Sequence, residues 1–354
     1  MQDPKRRSLE KGTKLAYRLA ILATLVAATV VVLGAFTRLV DAGLGCPDWP
    51  GCYGHLSWPN EAHEIIRAEQ RFPGSVVEPD KTWPEMVHRY FATTLGLIIV
   101  CLAGLAWRHR DTRTFPFRLP LLLLFLVVWQ GLFGMWTVTL KLWPQVVTTH
   151  LLGGISIFSL IWLLALRLRD ESWVLTGFAW HKLIKYKPWL VGGVVVLFAQ
   201  IALGGWLSSN YAAFACSDFP RCQNQWLPPM EIAGGFDILQ SVGPNYLGGL
   251  MSSEARVAIH FVHRVGALVT FLYITGFCLA LLFVADHRVR RMAMIIFGVL
   301  LVQIGLGISN VLFAIPLPVA VLHNAGAALL MLTLVTLAVK IWTATRPLED
   351  TSND

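Results

Sequence analysis

Charge is scarce in this chain: only 14% of its 354 residues are Asp, Glu, Lys or Arg, and 55% are hydrophobic. Soluble domains carry about 25% charged residues, so the deficit excludes a pair of soluble domains and points to the polytopic membrane class. The Cys-x-x-Cys-His run needed to attach a c-type haem is missing, as are cysteines spaced two to four apart, the usual spacing in structural zinc sites. A cleavable leader is not legible either. The first apolar run, LAILATLVAATVVVLGAF, is longer than the roughly 7 to 15 residues of a signal-peptide core and has no clear cleavage site, so it reads as a first span.

What is present in abundance is apolar sequence in lengths that cross a bilayer, which takes roughly 20 residues as a helix. Eight segments qualify: 17–37, 86–107, 119–140, 146–167, 188–209, 256–285, 292–313 and 318–341. Lys and Arg cluster in alternate connections: Lys5, Arg6, Arg7, Lys11 and Lys14, then RHRDTRTFPFR, HKLIKYK, DHRVRR and the tail after Lys340. Basic residues stay on the cytoplasmic side, so both termini are expected there, in a multi-pass protein of a bacterial-type inner (cytoplasmic) membrane. Topology and the anionic lipid bilayer account for the net charge of +8; nucleic acid is not an expected partner.

Two long outer loops, 38–84 and 210–254, each open on a related element, CPDWPGC and CSDFPRC. Cys46 with Cys52 and Cys216 with Cys222 read as intraloop disulfides of an oxidising compartment, with zinc ligands and redox-active thiols as competitors. Cys101 and Cys278 lie inside apolar spans and read as small packing residues. The paired loops belong to a longer repeat. EMVHR matches HFVHR, so His88 falls on His263 and Arg89 on Arg264; QGLFG matches QIGLG, placing Gln130 and Gly134 on Gln303 and Gly307; His150 falls on His323. The expected fold is therefore all-α, eight transmembrane helices arranged as two pseudo-symmetric four-helix bundles, residues 1–170 and 171–354.

Ionisable side chains inside spans are expensive and mark function by default. His88 and His150 share one level near the outer surface, and so do His263 and His323. Facing imidazoles in a bundle core suit the two axial positions of haem iron, with a zinc or copper site as the alternative. Arg89 and Arg264 each follow a ligand candidate, fitted either to pair with haem propionates or to snorkel to the interface. Three residues before His88 stands Glu85, where the second half has His260. A carboxylate beside only one site offers acid–base chemistry or stabilisation of a developing cation there; a cap on the helix start is the plainer role.

Taken in order, GLGCPDWPGCYG, EMVHR, THLLGG, HFVHR and LHNAGAA resemble the haem A synthase family over nearly the whole length of the spans. The resemblance implies an oxidoreductase that converts the C8 methyl of haem O to a formyl group through hydroxylated intermediates, giving haem A for cytochrome oxidase. It implies that His88 and His150 flank the substrate haem O with Glu85 as the catalytic carboxylate, and that His263 and His323 ligate a permanent haem b. It further implies a functional Cys46–Cys52 disulfide and a structural Cys216–Cys222 counterpart. A haem O synthase and a membrane electron donor or acceptor are the partners that such chemistry calls for. His260 has no role in that pattern. The insert NEAHEIIRAEQRFPGSVVEPDK departs from the simplest plan and is expected to be a partly helical lid or docking element. Two other classes stay open: a two-haem electron carrier without haem-modifying activity, and a reversible haem carrier.

Overall fold

The computed structural model describes residues 4–112 and 115–347; the side chains of residues 4–8, among them Lys5, Arg6 and Arg7, lie outside the described set, as do Arg113 and residues 348–354 of the basic stretches. The elements in chain order are α1 (Pro4–Leu39), α2 (Ala62–Arg71), α3 (Pro79–Arg108), α4 (Arg118–Thr139), α5 (Pro144–Arg169), α6 (Gly177–Ile184), α7 (Lys187–Ser209), α8 (Ile232–Gly235), α9 (Ser253–Leu282), α10 (His287–Leu312) and α11 (Leu317–Trp342). Eight of these, among the described residues, are long and apolar enough to cross a membrane, and the chain is a multi-pass, all-helical membrane protein.

Local chemistry sets the helix starts. Proline stands in the first two positions of α3, α5, α7 and α11, where its missing N–H costs nothing. Ser252 and Asp286 cap α9 and α10 by accepting backbone N–H bonds. The expected start of the second span at 86 is corrected: α3 begins at Pro79, so Pro84 and Glu85 lie inside the helix. Glu85 is thereby not a helix cap. Cys101, expected to be a packing residue, is exposed on α3, whereas Cys278 is buried.

α5 and α11 pack on each other in the middle, each also against α1 and α7; α3 and α4 pack on one flank, α9 and α10 on the other. Ala16, Ala20, Ala23 and Ala27 form a buried stripe at helical spacing on α1, and small residues of this kind let helix backbones approach closely where lipid supplies no hydrophobic drive. One apolar core runs through all eight spans.

The two cysteine loops sit at the same end of the bundle. The insert in the first contains α2, closed at its start by a reciprocal capping box between Glu61 and Glu64. Ala68 of α2, with Ile65 and Phe72, packs onto Cys46, Cys52, Tyr53 and Met86. The second loop reaches across to the first half of the chain. Trp143 Nε1 donates to the Gln240 carbonyl (3.0 Å), Gln145 Nε2 to that of Ile238 (2.9 Å), and the Tyr246 amide to that of Lys141 (3.0 Å). It thus lies on the first turns of α5, the helix that carries His150. Arg38 ties the ends of α1 and α7 together, donating to the Ser208 carbonyl (2.5 Å) and stacking 4.0 Å above the Tyr211 ring.

Backbone features recur between the two halves of the chain. Left-handed residues follow α1 and α7 at Asp41 and Tyr211 (φ 53° and 54°), and α4 and α10 at Lys141–Leu142 and Ala314–Ile315. Each cysteine loop also has a left-handed pair, Tyr53–Gly54 or Gln223–Asn224, and a cis proline, Pro50 or Pro220.

Candidate active site

The four span histidines each lie against a glycine of a neighbouring helix. A Cβ built on Gly34 of α1 would stand 2.9 Å from Cε1 of His88, on Gly134 of α4 3.3 Å from that of His150, on Gly204 of α7 3.3 Å from His263, and on Gly307 of α10 3.0 Å from His323. Glycine at these points leaves room for an imidazole between helices, where any larger residue would push the ring aside. His88 on α3 and His150 on α5 are within electrostatic reach of each other, as are His263 on α9 and His323 on α11. Each expected pair thus lies within range of a charge–charge interaction.

A glutamine one turn before the glycine accompanies three of the four: Gln130 before Gly134, Gln200 before Gly204 and Gln303 before Gly307. Gln130 Nε2 donates to the His150 carbonyl (2.6 Å). Gln200 Nε2 reaches both the carbonyl (3.1 Å) and Nδ1 (3.2 Å) of His263, and Gln303 Nε2 reaches Nδ1 of His323 (3.3 Å). In each case the glutamine Oε1 occupies the place of a missing Cβ on the glycine three residues past the histidine: Gly153, Gly266 and Gly326. At the same register in α1 stands Val30, and Phe91 follows His88 at the glycine's place. The Nδ1 atoms of His88 and His150 are buried with no partner. Sequence reading pairs Gln130 with Gln303 but assigns neither a role, and it misses Gln200; the Gln-x-x-x-Gly spacing is the signal that finds all three.

Above the histidines, each arginine grips its cysteine loop. Arg89 Nη1 donates to the carbonyls of Gly51 (2.5 Å), Asp48 (3.1 Å) and Pro50 (3.2 Å). Arg264 does the same to Asp218 and Arg221 (both 2.8 Å) and, through Nη2, to Cys216 (3.0 Å). Both guanidiniums are turned to loop carbonyls instead of snorkelling, and Nε of Arg264 is left buried without a partner. Cys46 is bonded to Cys52 and Cys216 to Cys222, with Cα atoms 4.8 Å apart in each pair. The loops are further closed by aspartates: Asp48 accepts from the amides of Tyr53 (2.6 Å) and Gly54 (2.8 Å), Asp218 from those of Gln223 (2.6 Å) and Asn224 (3.0 Å). Desolvation works against ionisation of Asp218, but the Asn224 and Gln223 amides outweigh it and hold the carboxyl below the ordinary aspartate range.

The halves part at Glu85 and His260. Glu85 is 5% exposed; its Oε1 is paired with Arg89, and its Oε2 accepts the Cys46 amide at 2.9 Å. His260, 4% exposed, places Nδ1 3.1 Å from the Ala212 carbonyl. Each side chain holds its loop to its helix, one by a carboxylate and one by an imidazole, and the carboxylate shares a helix face with His88, three residues on.

Among the described residues no three His, Cys, Asp or Glu side chains converge as a metal-ligand set. Two imidazoles in glycine cradles, with buried and unpartnered ring nitrogens in the first pair and an unpartnered guanidinium nitrogen beside the second, fit a group that asks for two axial nitrogens and offers anionic oxygens, as a haem does.

An eight-span helical membrane protein with two paired-histidine sites under disulfide loops is the class that fold and site define. Residues 17–335 match the COX15-CtaA family, described as cytochrome oxidase assembly protein, and the chain belongs to that family. It is 44% identical to a protein of Shewanella oneidensis named "Heme A synthase", over 92% of this chain and 95% of that protein. Similar proteins of the same name come from Caulobacter sp. (29% identical; 96% of this chain, 98% of the relative) and Halalkalibacterium halodurans (27%; 89% and 94%).

Proposed function

We propose that the chain is a haem A synthase, an oxidoreductase that takes haem O as substrate and oxidises its C8 methyl to a formyl group by way of hydroxylated intermediates, supplying haem A to cytochrome oxidase. Family membership and the 44% identity to a relative of that name support the reaction. The observation that carries the assignment to residues is the substitution of a buried carboxylate, Glu85, for His260 in otherwise matched surroundings. In this reading the half 1–170 binds the substrate between His88 and His150, and the half 171–354 holds a haem b between His263 and His323. When bound, the haem b supplies one-electron transfer to or from the substrate half.

The chain's own residues do the positioning. Arg89 fixes one oxygen of Glu85 and the Cys46 amide the other, so that the carboxylate faces the His88 site from a water-poor helix boundary. A carboxylate so held accepts or returns a proton at its oxygens, or stabilises positive charge developing at the substrate. The Cys46–Cys52 bond keeps the Cys46 amide in place; Cys216–Cys222 does the same service to the second loop without a carboxylate beneath it. Arg89 and Arg264 stand beside the sites with donors suited to the carboxylates of a haem edge. The protein lies in a bacterial inner membrane with both termini cytoplasmic, receives haem O from a haem O synthase, and exchanges electrons with a membrane partner.

One observation favours the runner-up, a two-haem electron carrier: both oxygens of Glu85 already have structural partners, as does the ring of His260. Mass-resolved chromatography of acid-extracted haems separates the readings. Membranes that contain the chain and a haem O source are expected to yield haem A or its hydroxylated precursor, and Glu85→Ala membranes to accumulate haem O. Unmodified haem O from both, with folded and haem-loaded protein, would overturn the synthase reading and favour the electron carrier.

A further inference from the structure

We infer that Gln200 and Gln303 are positioning residues that lock the two imidazoles of the C-terminal pair in the ligand tautomer, and that the N-terminal pair is built without this lock. The inference rests on the proposed haem b site. An imidazole that ligates through Nε2 must carry its proton on Nδ1, and that proton needs an acceptor; such outer partners fix ring orientation and raise the ligand's donor strength.

Among the described residues a side-chain amide reaches the ring at two of the four sites; the rings of His88 and His150 have only the main chain of Val30 and Gln130 beside them. Gln200 and Gln303 bring their amides to 3.2 and 3.3 Å from the Nδ1 atoms of His263 and His323. The Oε1 atoms of both glutamines are buried with no hydrogen-bond partner. A half-turn of either amide sets that spare oxygen on Nδ1–H; for Gln200 the exchange gives up the bond to the His263 carbonyl, for Gln303 nothing is lost. Gln130 differs: its side-chain amide bonds the main chain of His150 and does not reach the ring's Nδ1. His88 has no glutamine at all, with Val30 and Phe91 at the two places that build the brace elsewhere. The C-terminal rings thus have a side-chain amide to hold them for permanent ligation, and the N-terminal rings lack it.

The test is an optical redox titration of the purified full chain, in which the haem that depends on His263 and His323 is followed in Gln303→Leu, Gln303→Glu and the matching Gln200 variants. Leucine removes the acceptor and weakens the ligand's donation, so the midpoint potential should rise; glutamate strengthens the acceptor, so it should fall. Transfer of this haem to a scavenging apo-globin should accelerate on the order of 10- to 100-fold in the leucine variants, the usual cost of losing an outer partner. Gln303→Met gives a second uncharged variant if leucine misfolds. Gln130→Leu should leave this potential where it was. Leucine and glutamate moving the potential in the same direction, or not at all, would overturn the inference, as would an equal shift in Gln130→Leu. Failure of the underlying site looks different: the wild-type haem would survive His263→Ala and His323→Ala.

Discussion

Glu85 and His260 occupy the same point in two matched settings, three residues ahead of a span histidine and beneath a disulfide-closed loop, yet one holds a backbone N–H and the other a backbone carbonyl. Nearly everything around them is repeated: the arginine grip on loop carbonyls, the aspartate that closes the loop, the glycine under each imidazole. Where a scaffold is repeated and a side chain is not, the difference separates what the architecture needs from what one site does. Either residue tethers its loop; only the carboxylate can also serve proton transfer. The glutamines part the same two regions from the other direction, by bringing a side-chain amide to the rings of one half and none to those of the other.

The sharpest way to break this comparison is Glu85→His, which makes the first setting like the second. If Glu85 acts in the chemistry, conversion of haem O should fall roughly 100-fold or more, the lower bound for losing an acid–base group, with the protein still folded; retained conversion would reduce Glu85 to a tether. Glu85→His and Glu85→Ala alike leave Arg89 without its carboxylate, at a cost of about 3–5 kcal/mol visible as a lower Tm, and Glu85→Ala is the harsher change because it also puts no polar group beside the Cys46 amide. Next come the cradles. Gly307→Ala and Gly34→Ala each press a methyl against an imidazole and should cost about 1–3 kcal/mol in packing, read as loss of haem from the half concerned while the other half keeps its own. Smaller again is the loop closure: Cys216→Ser with Cys222→Ser should lower stability by about 2 kcal/mol and spare turnover, whereas the same change at Cys46 and Cys52 should also slow turnover by loosening the Cys46 amide from Glu85.

The smallest effect concerns Asp218. Its carboxyl is more acidic folded than unfolded, so the stabilisation it gives is complete at neutral pH and is lost as pH falls through the lowered folded value. Thermal unfolding of Asp218→Asn should therefore lose less stability than wild type does across that acid range; equal acid sensitivity would remove the amide contacts of Gln223 and Asn224 from the account.

The spans were legible because uncharged runs of bilayer length have few other uses, and the histidines because ionisable groups inside such runs stand out at repeated positions. Helix starts were less so. Pro84 reads as a boundary, but Pro79 opens α3 and Pro84 lies within it, which carries Glu85 inside the helix as well. The arginines show why contacts escape sequence: a guanidinium beside a span suits propionates, water or carbonyls equally, and only the fold of the cysteine loops brings three carbonyls to Arg89. Gln200 went unread because glutamine in a span is a common helix-to-helix hydrogen bonder; its meaning comes from the imidazole that the packing of α7 on α9 sets beside it.

The most direct test of a working site and a fixed site in one chain is the identity of the haem that each half retains. Chains carrying His88→Ala with His150→Ala, or His263→Ala with His323→Ala, would be purified from cells making haem O and their haems extracted and resolved by mass. Haem B alone is expected in the first variant, and haem O or an oxidised derivative in the second. The same haem in both, or haem O held between His263 and His323, would contradict this expectation.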